Sequence, residues 1–336
     1  MLMPAMLLIT VLLFAWGVTG GMRHYALRRN ILDMPNQRSS HSVPTPRGGG
    51  MAIVLSFMLA LLVFLFQGLV EPEHAVALLG GGGLVALIGF LDDHGHVPAR
   101  WRLLVHFLAA GWGLYWLGGL PPLQLGDTAV QLGWLGMPLG LLYLVWLLNL
   151  YNFMDGIDGI AGIEAVTTCA AAGLLCGVLG NWQAALLPAV LAAAAGGFLL
   201  WNWPPAKIFM GDAGSGFLGL MLGLVSLQMA WLEPQLLGAW VILLGVFLVD
   251  ASITLLRRFW RGEKVYEAHR SHAYQHATRS LGRHLPVTAA VALINLLWLL
   301  PLALWVALNG DAWLVVPLAY APLIWLALKY RAGLAE

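Results

Sequence analysis

The chain has 336 residues, of which 60% are hydrophobic and only 10% are charged, and its formal net charge is +1. Soluble domains usually contain about 45–50% apolar and about 25% charged residues, so this composition excludes an ordinary water-soluble fold. A net charge so close to zero gives no indication of a nucleic-acid partner, and none is expected.

Apolar runs of membrane-spanning length follow one another along the whole chain. A transmembrane helix needs about 17–25 mostly apolar residues. Such runs cover residues 2–22, 49–70, 75–91, 103–120, 134–150, 160–179, 182–202, 216–232, 236–256, 286–308 and 312–328. The pattern predicts an all-α polytopic membrane protein with about eleven transmembrane helices, forming a single domain over residues 1–336.

The basic residues predict the orientation of these helices. With the N-terminus outside, the inner segments are 23–48, 92–102, 151–159, 203–215, 257–285 and the tail after 328, and they hold all 17 Lys and Arg residues. Inner loops of membrane proteins carry the excess of Lys and Arg, so this orientation is strongly favoured. The glycine run Gly80–Gly83 lies inside the third span, where close helix packing explains it better than a phosphate-binding loop.

Four polar segments on the predicted inner face combine carboxylates or imidazoles with glycine. They are LDD at 91–93, NLYNFMDGIDG at 149–159, FMGDAGSG at 209–216 and HRSHAYQH at 269–276. In the first, Asp92 and Asp93 end a span, and two adjacent carboxylates are costly unless a cation or basic partner lies between them. An ordinary solvated pair, balanced by Arg100 and Arg102, explains them equally well.

The second segment carries oxygen ligands at a regular spacing. Asn149, Asn152, Asp155 and Asp158 recur every three residues, so a helical or 3₁₀ conformation would place them on one edge. Carboxylate and amide oxygens are ligands that suit Mg²⁺, usually together with water and a substrate phosphate. The alternative is a turn rich in Asn and Asp that caps the next span.

The third segment places Asp212 among glycines at the start of a span whose N-terminus faces inward. Helix N-termini favour anions, and a helix-capping role for Asp212 is the alternative. Phe209, beside this acid, is suited to stacking against a base or to anchoring the chain at the membrane interface.

The fourth segment lies in an inner loop with seven basic residues and four histidines, among them His269, Arg270, His272 and His276. This density of cations suits a pyrophosphate substrate, which arginine binds through paired hydrogen bonds. A topology signal, attraction to anionic lipid and a zinc site are the alternatives.

Taken in order, the motifs DMPNQRSSHSVPTPRGGG at 33–50, LDD, NFMDGIDG, PAKIFMGDAGS and the histidine loop resemble those of the polyprenyl-phosphate N-acetylhexosamine-1-phosphate transferases. The resemblance implies transfer of a sugar 1-phosphate from a UDP-N-acetylhexosamine to undecaprenyl phosphate, with release of UMP. It further implies Mg²⁺, with Mn²⁺ as the alternative ion, and a cytoplasm-facing site in the bacterial inner membrane, surrounded by lipid.

The resemblance also implies roles for individual residues. Asp212 and Asn152 match the metal ligands, and Asp92 and Asp93 the acidic pair near the lipid phosphate. The nucleotide side is matched by two acids and the uracil contact, and the pyrophosphate or sugar by the histidine loop. These residues are Asp155, Asp158 and Phe209 for the nucleotide, Arg270 and His272 for the pyrophosphate or sugar, and Asn149 and His276 on the UDP-sugar side.

The chain departs from family members that use UDP-GlcNAc, in which a leucine and two histidines follow the first histidine. Here Ala273, Tyr274 and Gln275 follow His272, and His94 stands where a third acid follows LDD. Both departures resemble the branch that initiates O-antigen or similar surface polysaccharides, with expected 6-deoxy donors such as UDP-FucNAc or UDP-QuiNAc. UDP-GlcNAc is the alternative donor.

The expected mechanism is in-line displacement, because a phosphate monoester is already anionic near neutral pH. A covalent aspartyl intermediate is the alternative. A secondary transporter is the alternative from another class, and it would place ionisable groups inside the spans, where only Glu164 and Asp250 lie. The oligomeric state, including a homodimer, is left open.

Overall fold

The computed structural model describes residues 2–35, 40–41, 43–95, 97–126, 128–264 and 269–334. Residues 36–39 and 42 of the motif at 33–50, and residues 265–268 of the histidine loop, lie outside the described residues. The described helices are α1 (Leu2–Arg29), α2 (Met51–Phe66), α3 (Pro72–His94), α4 (Ala99–Trp116), α5 (Gly136–Met154), α6 (Ile160–Val178), α7 (Leu186–Asn202), α8 (Asp212–Leu232), α9 (Gln235–Leu243), α10 (Gly245–Trp260), α11 (Ala273–Leu281), α12 (Leu285–Ile294), α13 (Leu300–Asn309) and α14 (Ala312–Lys329).

Two short antiparallel strand pairs and two irregular helical turns complete the described secondary structure. The strands are β1 (Leu32–Asp33) with β2 (Thr45–Pro46), and β3 (Leu123–Leu125) with β4 (Thr128–Val130). A 3₁₀ turn covers Gly133–Leu135, and a π-helical turn, Asn295–Leu299, joins α12 to α13.

Each predicted apolar run coincides with a helix or a helix pair. Seven helical segments in the described part of the chain are long and apolar enough to cross a membrane, and the bent pair α9–α10 would make an eighth. The helices α2 and α7 are apolar but shorter. The all-α polytopic membrane fold is therefore confirmed, whereas the count of eleven spans remains a prediction.

The run at 236–256, predicted as one span, is broken instead. Its two halves, α9 and α10, meet at Leu244 with a bend of 72°. The break frees carbonyl groups in the last turn of α9, and two hydroxyls from neighbouring helices satisfy them: Tyr320 donates to the Val241 carbonyl at 2.7 Å and Thr168 to the Leu243 carbonyl at 3.3 Å. A broken helix is tolerated inside a bundle when its free backbone groups find such partners.

The centre of the bundle is α8, which α3 and α5 flank. In an apolar 18-residue stretch of α8, 83% of the stretch is buried inside the protein, whereas 17% of the corresponding stretch of α1, at the periphery, is buried. Small residues allow the close approach: a Cβ on Gly219 would lie 2.8 Å from the Leu147 carbonyl of α5, and one on Gly82 would lie 2.7 Å from the Phe217 ring of α8. The packing interpretation of the glycine run is thus confirmed for Gly80–Gly82, whereas Gly83 has room for a Cβ.

Gly89 on α3 also allows two helices to approach closely, at the end of the bundle where the polar segments meet. A Cβ there would lie 2.5 Å from the backbone of Ala213, in the first turn of α8. The absence of a side chain at this position lets the end of α3 contact the N-terminus of α8 directly.

We expect Gly89→Ala to separate α3 from α8 and to lower the midpoint of thermal unfolding in detergent, because overpacking of this kind costs about 1–3 kcal/mol. Gly83→Ala is the matched control on the same helix, since its Cβ would meet only the tip of Met58 at 3.8 Å. The control should unfold at or slightly above the wild-type temperature. Equal unfolding temperatures for the two variants would contradict the packing account.

Candidate functional site

The polar segments enclose a cavity of about 390 Å³ at one end of the bundle. Its wall is rich in carboxylates and has a smaller set of basic groups and amides. The charged and aromatic lining residues are Asp33, Asp93, Asp155, Asp158, Asp212, His41, Arg47, His269, His284 and Phe209, and the amides are Asn152, Asn202 and Gln275. Five carboxylates around one small volume create a strong demand for positive charge.

The guanidinium of Arg102 supplies part of this positive charge. The Arg102 Nη1 atom lies 2.7 Å from Asp92 Oδ2 and 2.7 Å from Asp212 Oδ2, so a single nitrogen of α4 joins the end of α3 to the start of α8. The other oxygen of Asp92 accepts the Val97 backbone N–H at 2.8 Å. Asp92 therefore points to Arg102, and it does not line the cavity directly.

Asp93 is turned the other way and caps α8. Its Oδ1 accepts the Asp212 N–H at 3.0 Å and its Oδ2 accepts the Ala213 N–H at 3.3 Å, and the residue is only 3% exposed. A Cβ at Gly211, where φ is +79°, would lie 2.6 Å from Asp93 Oδ2, so only glycine fits beneath this carboxylate. Asp93 thereby fixes the position of Asp212 at the cavity edge.

The segment 149–158 is not one continuous helical edge, so that expectation is wrong. The helix α5 ends at Met154, and Asp155 is its C-cap residue with φ −85° and ψ 52°. Asn152 still lines the cavity, and its Nδ2 donates to Ser215 Oγ of α8 at 3.0 Å. Asn149 does not reach the cavity: its amide donates to the Val145 carbonyl at 2.7 Å.

Asn149 borders a second, smaller recess of about 120 Å³ between α3, α4, α5 and α8. Arg102 and His106 border the same recess, as do Asn152 and Asp212 from the site side. The metal-ligand candidates therefore separate the main cavity from a recess that lies against Arg102.

The Asp155 carboxylate has no hydrogen-bond or ion-pair partner among the described residues, although the Asp155 backbone N–H donates to the Asn152 carbonyl at 3.3 Å. Desolvation, together with the charges of Asp212, Asp93 and Asp158, raises the pKa of Asp155 well above its usual range. A cation placed among these acids would remove this repulsion and favour the ionised carboxylate.

No three His, Cys, Asp or Glu side chains in the described ranges are close enough to hold a metal ion by themselves. Asp212, Asn152 and Asp155 line the same cavity and offer carboxylate and amide oxygens to a cation. This donor set fits Mg²⁺, which proteins usually hold through one or two carboxylates while water and substrate phosphate complete the shell.

Asp158 is held in place by two elements on the far side of the cavity. Its Oδ2 accepts the Ala206 N–H at 3.0 Å, and its Oδ1 lies 3.1 Å from His284 Nδ1. Burial alone would lower the pKa of His284, but the hydrogen bond and charge of Asp158 raise it overall, with a further contribution from the Ser40 carbonyl. His284 was not singled out by the sequence analysis.

Phe209 and His41 form an aromatic corner of the cavity. Their ring centroids are 4.8 Å apart with planes at 64°, and His41 Nε2 lies 3.9 Å from Asp33 Oδ2. Backbone pairing explains the placement of this wall, because the Phe209 N–H donates to the Pro46 carbonyl at 2.8 Å. His41 and Arg47 were also missed, although both stand in the recognised motif at 33–50.

The histidine segment is anchored by Asp250 of α10. This carboxylate accepts the Ala273 and Tyr274 N–H groups, both at 2.9 Å, and so caps α11. His272 Nδ1 lies 3.4 Å from Asp250 Oδ1, and His272 is only 1% exposed. Within this segment the structure brings His269 and Gln275 to the cavity wall, while His272 lies behind them.

Arg270 and His276 do not line the cavity. The Arg270 carbonyl accepts a hydrogen bond from Arg279 at 3.1 Å. His276 Nε2 lies 3.3 Å from the Leu334 carbonyl, and its Nδ1 lies 3.0 Å from Arg279 Nη2. The roles expected for these two side chains remain predictions that would require the segment to move.

The two acids inside the spans have structural partners. Asp250 caps α11, and the fully buried Glu164 accepts a hydrogen bond from Asn295 Nδ2 at 2.7 Å. The same Asn295 nitrogen also donates to Thr167 at 2.8 Å, so the pair joins α6 to the π-helical turn. Helix-to-helix hydrogen bonds of this kind stabilise membrane bundles.

Residues 75–230 match the family described as glycosyl transferase family 4. A probable undecaprenyl-phosphate N-acetylglucosaminyl 1-phosphate transferase of Bacillus subtilis is 27% identical over 80% of this chain and 74% of the relative. A decaprenyl-phosphate N-acetylglucosaminephosphotransferase of Mycolicibacterium smegmatis is 30% identical over 74% of this chain and 68% of the relative.

A third relative, a phospho-N-acetylmuramoyl-pentapeptide-transferase of Streptococcus thermophilus, is 30% identical over 55% of this chain and 59% of its own. The family match over residues 75–230 covers the segments that carry Asp92, Asn152, Asp155 and Asp212. On these findings the chain belongs to glycosyl transferase family 4, the family of polyprenyl-phosphate N-acetylhexosamine-1-phosphate transferases.

Proposed function

We propose that the protein transfers an N-acetylhexosamine 1-phosphate from a UDP-sugar to undecaprenyl phosphate, at a site that faces the cytoplasm. The observation that carries this proposal is the cluster in which Asp92 and Asp212 share one Arg102 nitrogen, beside the Asp155 carboxylate, which has no partner among the described residues. The names of the relatives support the acceptor class, since they act on undecaprenyl or decaprenyl phosphate. The placement of all basic residues on the inner side supports the orientation.

In the proposed reaction an oxygen of the lipid phosphate attacks the β-phosphorus of the UDP-sugar. The bond from that phosphorus to the bridging oxygen breaks, and UMP leaves with the electron pair. The attacking phosphate carries about 1.5–2 negative charges near neutral pH and needs no general base. Direct in-line displacement is therefore favoured over a covalent aspartyl intermediate.

Asp212 and Asn152 would hold Mg²⁺, with Asp155 as a neighbouring oxygen donor. Bound there, the ion would neutralise the diphosphate and the charge that develops on UMP. The Arg102 guanidinium, anchored by Asp92 and Asp212, would offer its remaining N–H groups to the lipid phosphate.

The remaining walls suit the nucleotide. Phe209 and His41 provide an aromatic corner of the cavity, and Arg47 provides a cation in the same wall that the diphosphate could approach. Asp158 is fixed by Ala206 and His284, so its role would be to hold this wall in shape. Bases stack well on aromatic rings, which supports placing uracil at Phe209.

For the donor, we propose a 6-deoxy sugar such as UDP-FucNAc or UDP-QuiNAc, for initiation of O-antigen or a similar surface polysaccharide. Support comes from the loop that departs from the UDP-GlcNAc pattern. Of its three exchanged residues, Ala273, Tyr274 and Gln275, only Gln275 lines the cavity, and the Tyr274 hydroxyl donates to the Phe153 carbonyl at 3.1 Å. The relatives' printed names support UDP-GlcNAc as the competing donor.

The test is UMP release by purified protein with undecaprenyl phosphate, Mg²⁺ and a panel of UDP-N-acetylhexosamines. We expect a 6-deoxy donor to be preferred, with leakage to UDP-GlcNAc, because a site that makes no hydrogen bond at the 6-position rejects an added hydroxyl there by only about 100-fold. Gln275→His should move the ratio towards UDP-GlcNAc. Equal or better use of UDP-GlcNAc by the wild type would overturn the 6-deoxy proposal, and the absence of UMP release with every donor would overturn the reaction.

Asp212→Asn should reduce UMP release by at least about 100-fold, because it removes the charge at the proposed metal position. The variant should remain folded and in the membrane, since the Asp93 cap bonds to backbone N–H groups that the substitution keeps. Asp311→Asn, the same chemical change at the N-cap of α14 away from the cavity, is the control and should retain wild-type turnover. Near-normal turnover of Asp212→Asn would show that the metal assignment is wrong.

A further inference from the structure

The segment that follows α14, residues 331–334, is tied by its backbone to the two elements beside the cavity. On one side are the basic residues at the end of α10: Arg257 Nη1 donates to the Ala332 carbonyl at 3.0 Å and Arg261 Nη1 to the Gly333 carbonyl at 3.1 Å. These arginines, which a topology signal would explain on its own, thus have a specific structural partner. We call residues 331–334 the strap.

On its other side the strap contacts the histidine segment. The Gly333 N–H donates to the Ser271 carbonyl at 2.7 Å, and the Leu334 carbonyl lies 3.3 Å from His276 Nε2. Ala332 is fully buried and its N–H donates to the Ala327 carbonyl of α14 at 2.9 Å. The strap therefore joins α10, α14 and the segment that carries His269 and Gln275.

The space around Gly333 leaves no room for a side chain. Its φ is +76°, a conformation that side chains rarely adopt. A Cβ there would lie 2.8 Å from both Arg257 Cβ and the Thr254 carbonyl. Any larger residue must therefore move the strap away from α10, and Ser271 with it.

Ser271 in turn orients His269. The Ser271 N–H lies 3.5 Å from His269 Nδ1 and its hydroxyl lies 3.0 Å from the same atom. A backbone N–H can only donate, so Nδ1 accepts and the neutral ring carries its proton on Nε2. Burial, with the charges of His272 and Arg258, lowers the pKa of His269 to about 3, which keeps the ring uncharged near neutral pH.

The cavity wall formed by this segment therefore presents uncharged donors. His269 Nε2 has no hydrogen-bond partner among the described residues, and the Gln275 side chain uses its oxygen to accept the His272 N–H at 3.2 Å, which leaves its NH₂ group as the donor. Sugar hydroxyls and the acetamido carbonyl are uncharged acceptors of matching chemistry. The diphosphate is better matched by Arg47, which comes from a different segment of the chain.

We propose that the strap is a positioning element that holds His269 and Gln275 against the sugar of the nucleotide-sugar donor. This inference rests on the proposed function, since it names the part of the site that the sugar would contact. The strap does not touch the substrate itself. It acts through the Gly333–Ser271 hydrogen bond.

The test compares the affinities of purified variants for UDP-sugar and for UDP, measured by calorimetric titration with Mg²⁺. Gly333→Val should weaken binding of the UDP-sugar by about tenfold, the effect of losing one or two neutral hydrogen bonds, and leave UDP binding unchanged. Gly262→Val is the matched control, because Gly262 has the same backbone conformation, with φ +71°, but no neighbour within 4 Å of its Cβ position. The control should bind both ligands as the wild type does.

His269→Ala provides an independent arm that leaves the strap intact. It should reproduce the selective loss of UDP-sugar affinity, and the double variant with Gly333→Val should lose no more than either single variant, because both changes remove the same contact. Additive losses, an equal loss for UDP, or a Gly333→Val variant indistinguishable from its control would each overturn the inference. If the wild type itself binds UDP-sugar no better than UDP and releases no UMP, the proposed function fails instead.

Discussion

The structure of one end of this bundle depends on bringing several carboxylates together around one cavity. Like charges at such spacing repel strongly unless each finds a compensating partner. Asp92 and Asp212 share Arg102, Asp93 binds two backbone N–H groups, and Asp158 lies against His284. Asp155 is left without such a partner among the described residues, and this residual imbalance is what makes the cavity a cation site in our account.

The same capping device is used twice. Asp93, at the end of α3, binds the first two N–H groups of α8, and Asp250, on α10, binds the first two of α11. Each carboxylate comes from a different helix than the one it caps, so each cap also fixes the distance between two elements. Hydrogen bonds to charged groups contribute about 1.5–3 kcal/mol each, enough to hold Asp212 and the histidine segment in place while substrates enter.

Sequence reasoning located the helices and the four polar segments, because hydrophobic length and clusters of polar residues are local signals. The orientation of these segments in the membrane stays a prediction. It also explained Gly80–Gly82 correctly as packing residues, although not Gly83. It failed where the outcome depends on contacts between distant segments. At the bend at Leu244, free backbone carbonyls accept hydrogen bonds from the hydroxyls of Thr168 and Tyr320. Both residues lie outside 236–256, so the pattern of this run did not predict the bend.

In the candidate site, too, local motifs were identified from the sequence and contacts between distant segments were not. The motifs identified Asp212, Asn152 and Asp155, which meet at the cavity, but their spacing wrongly suggested one helical edge that included Asn149. Asp93 reads as a member of an acidic pair, yet its partners are N–H groups more than one hundred residues away in the chain. His41, Arg47 and His284 carry no spacing signal, since folding alone brings them to the wall.

In our proposal the carboxylate cluster needs a divalent cation, which binds together with the nucleotide. The most direct measurement is Mn²⁺ binding to the purified protein by electron paramagnetic resonance, with and without UDP, in place of Mg²⁺. The account predicts one tightly bound ion per chain when UDP is present and much weaker binding without it, because substrate phosphate completes the shell. Full UMP release in the presence of excess chelator, with no nucleotide-dependent Mn²⁺ binding, would contradict it.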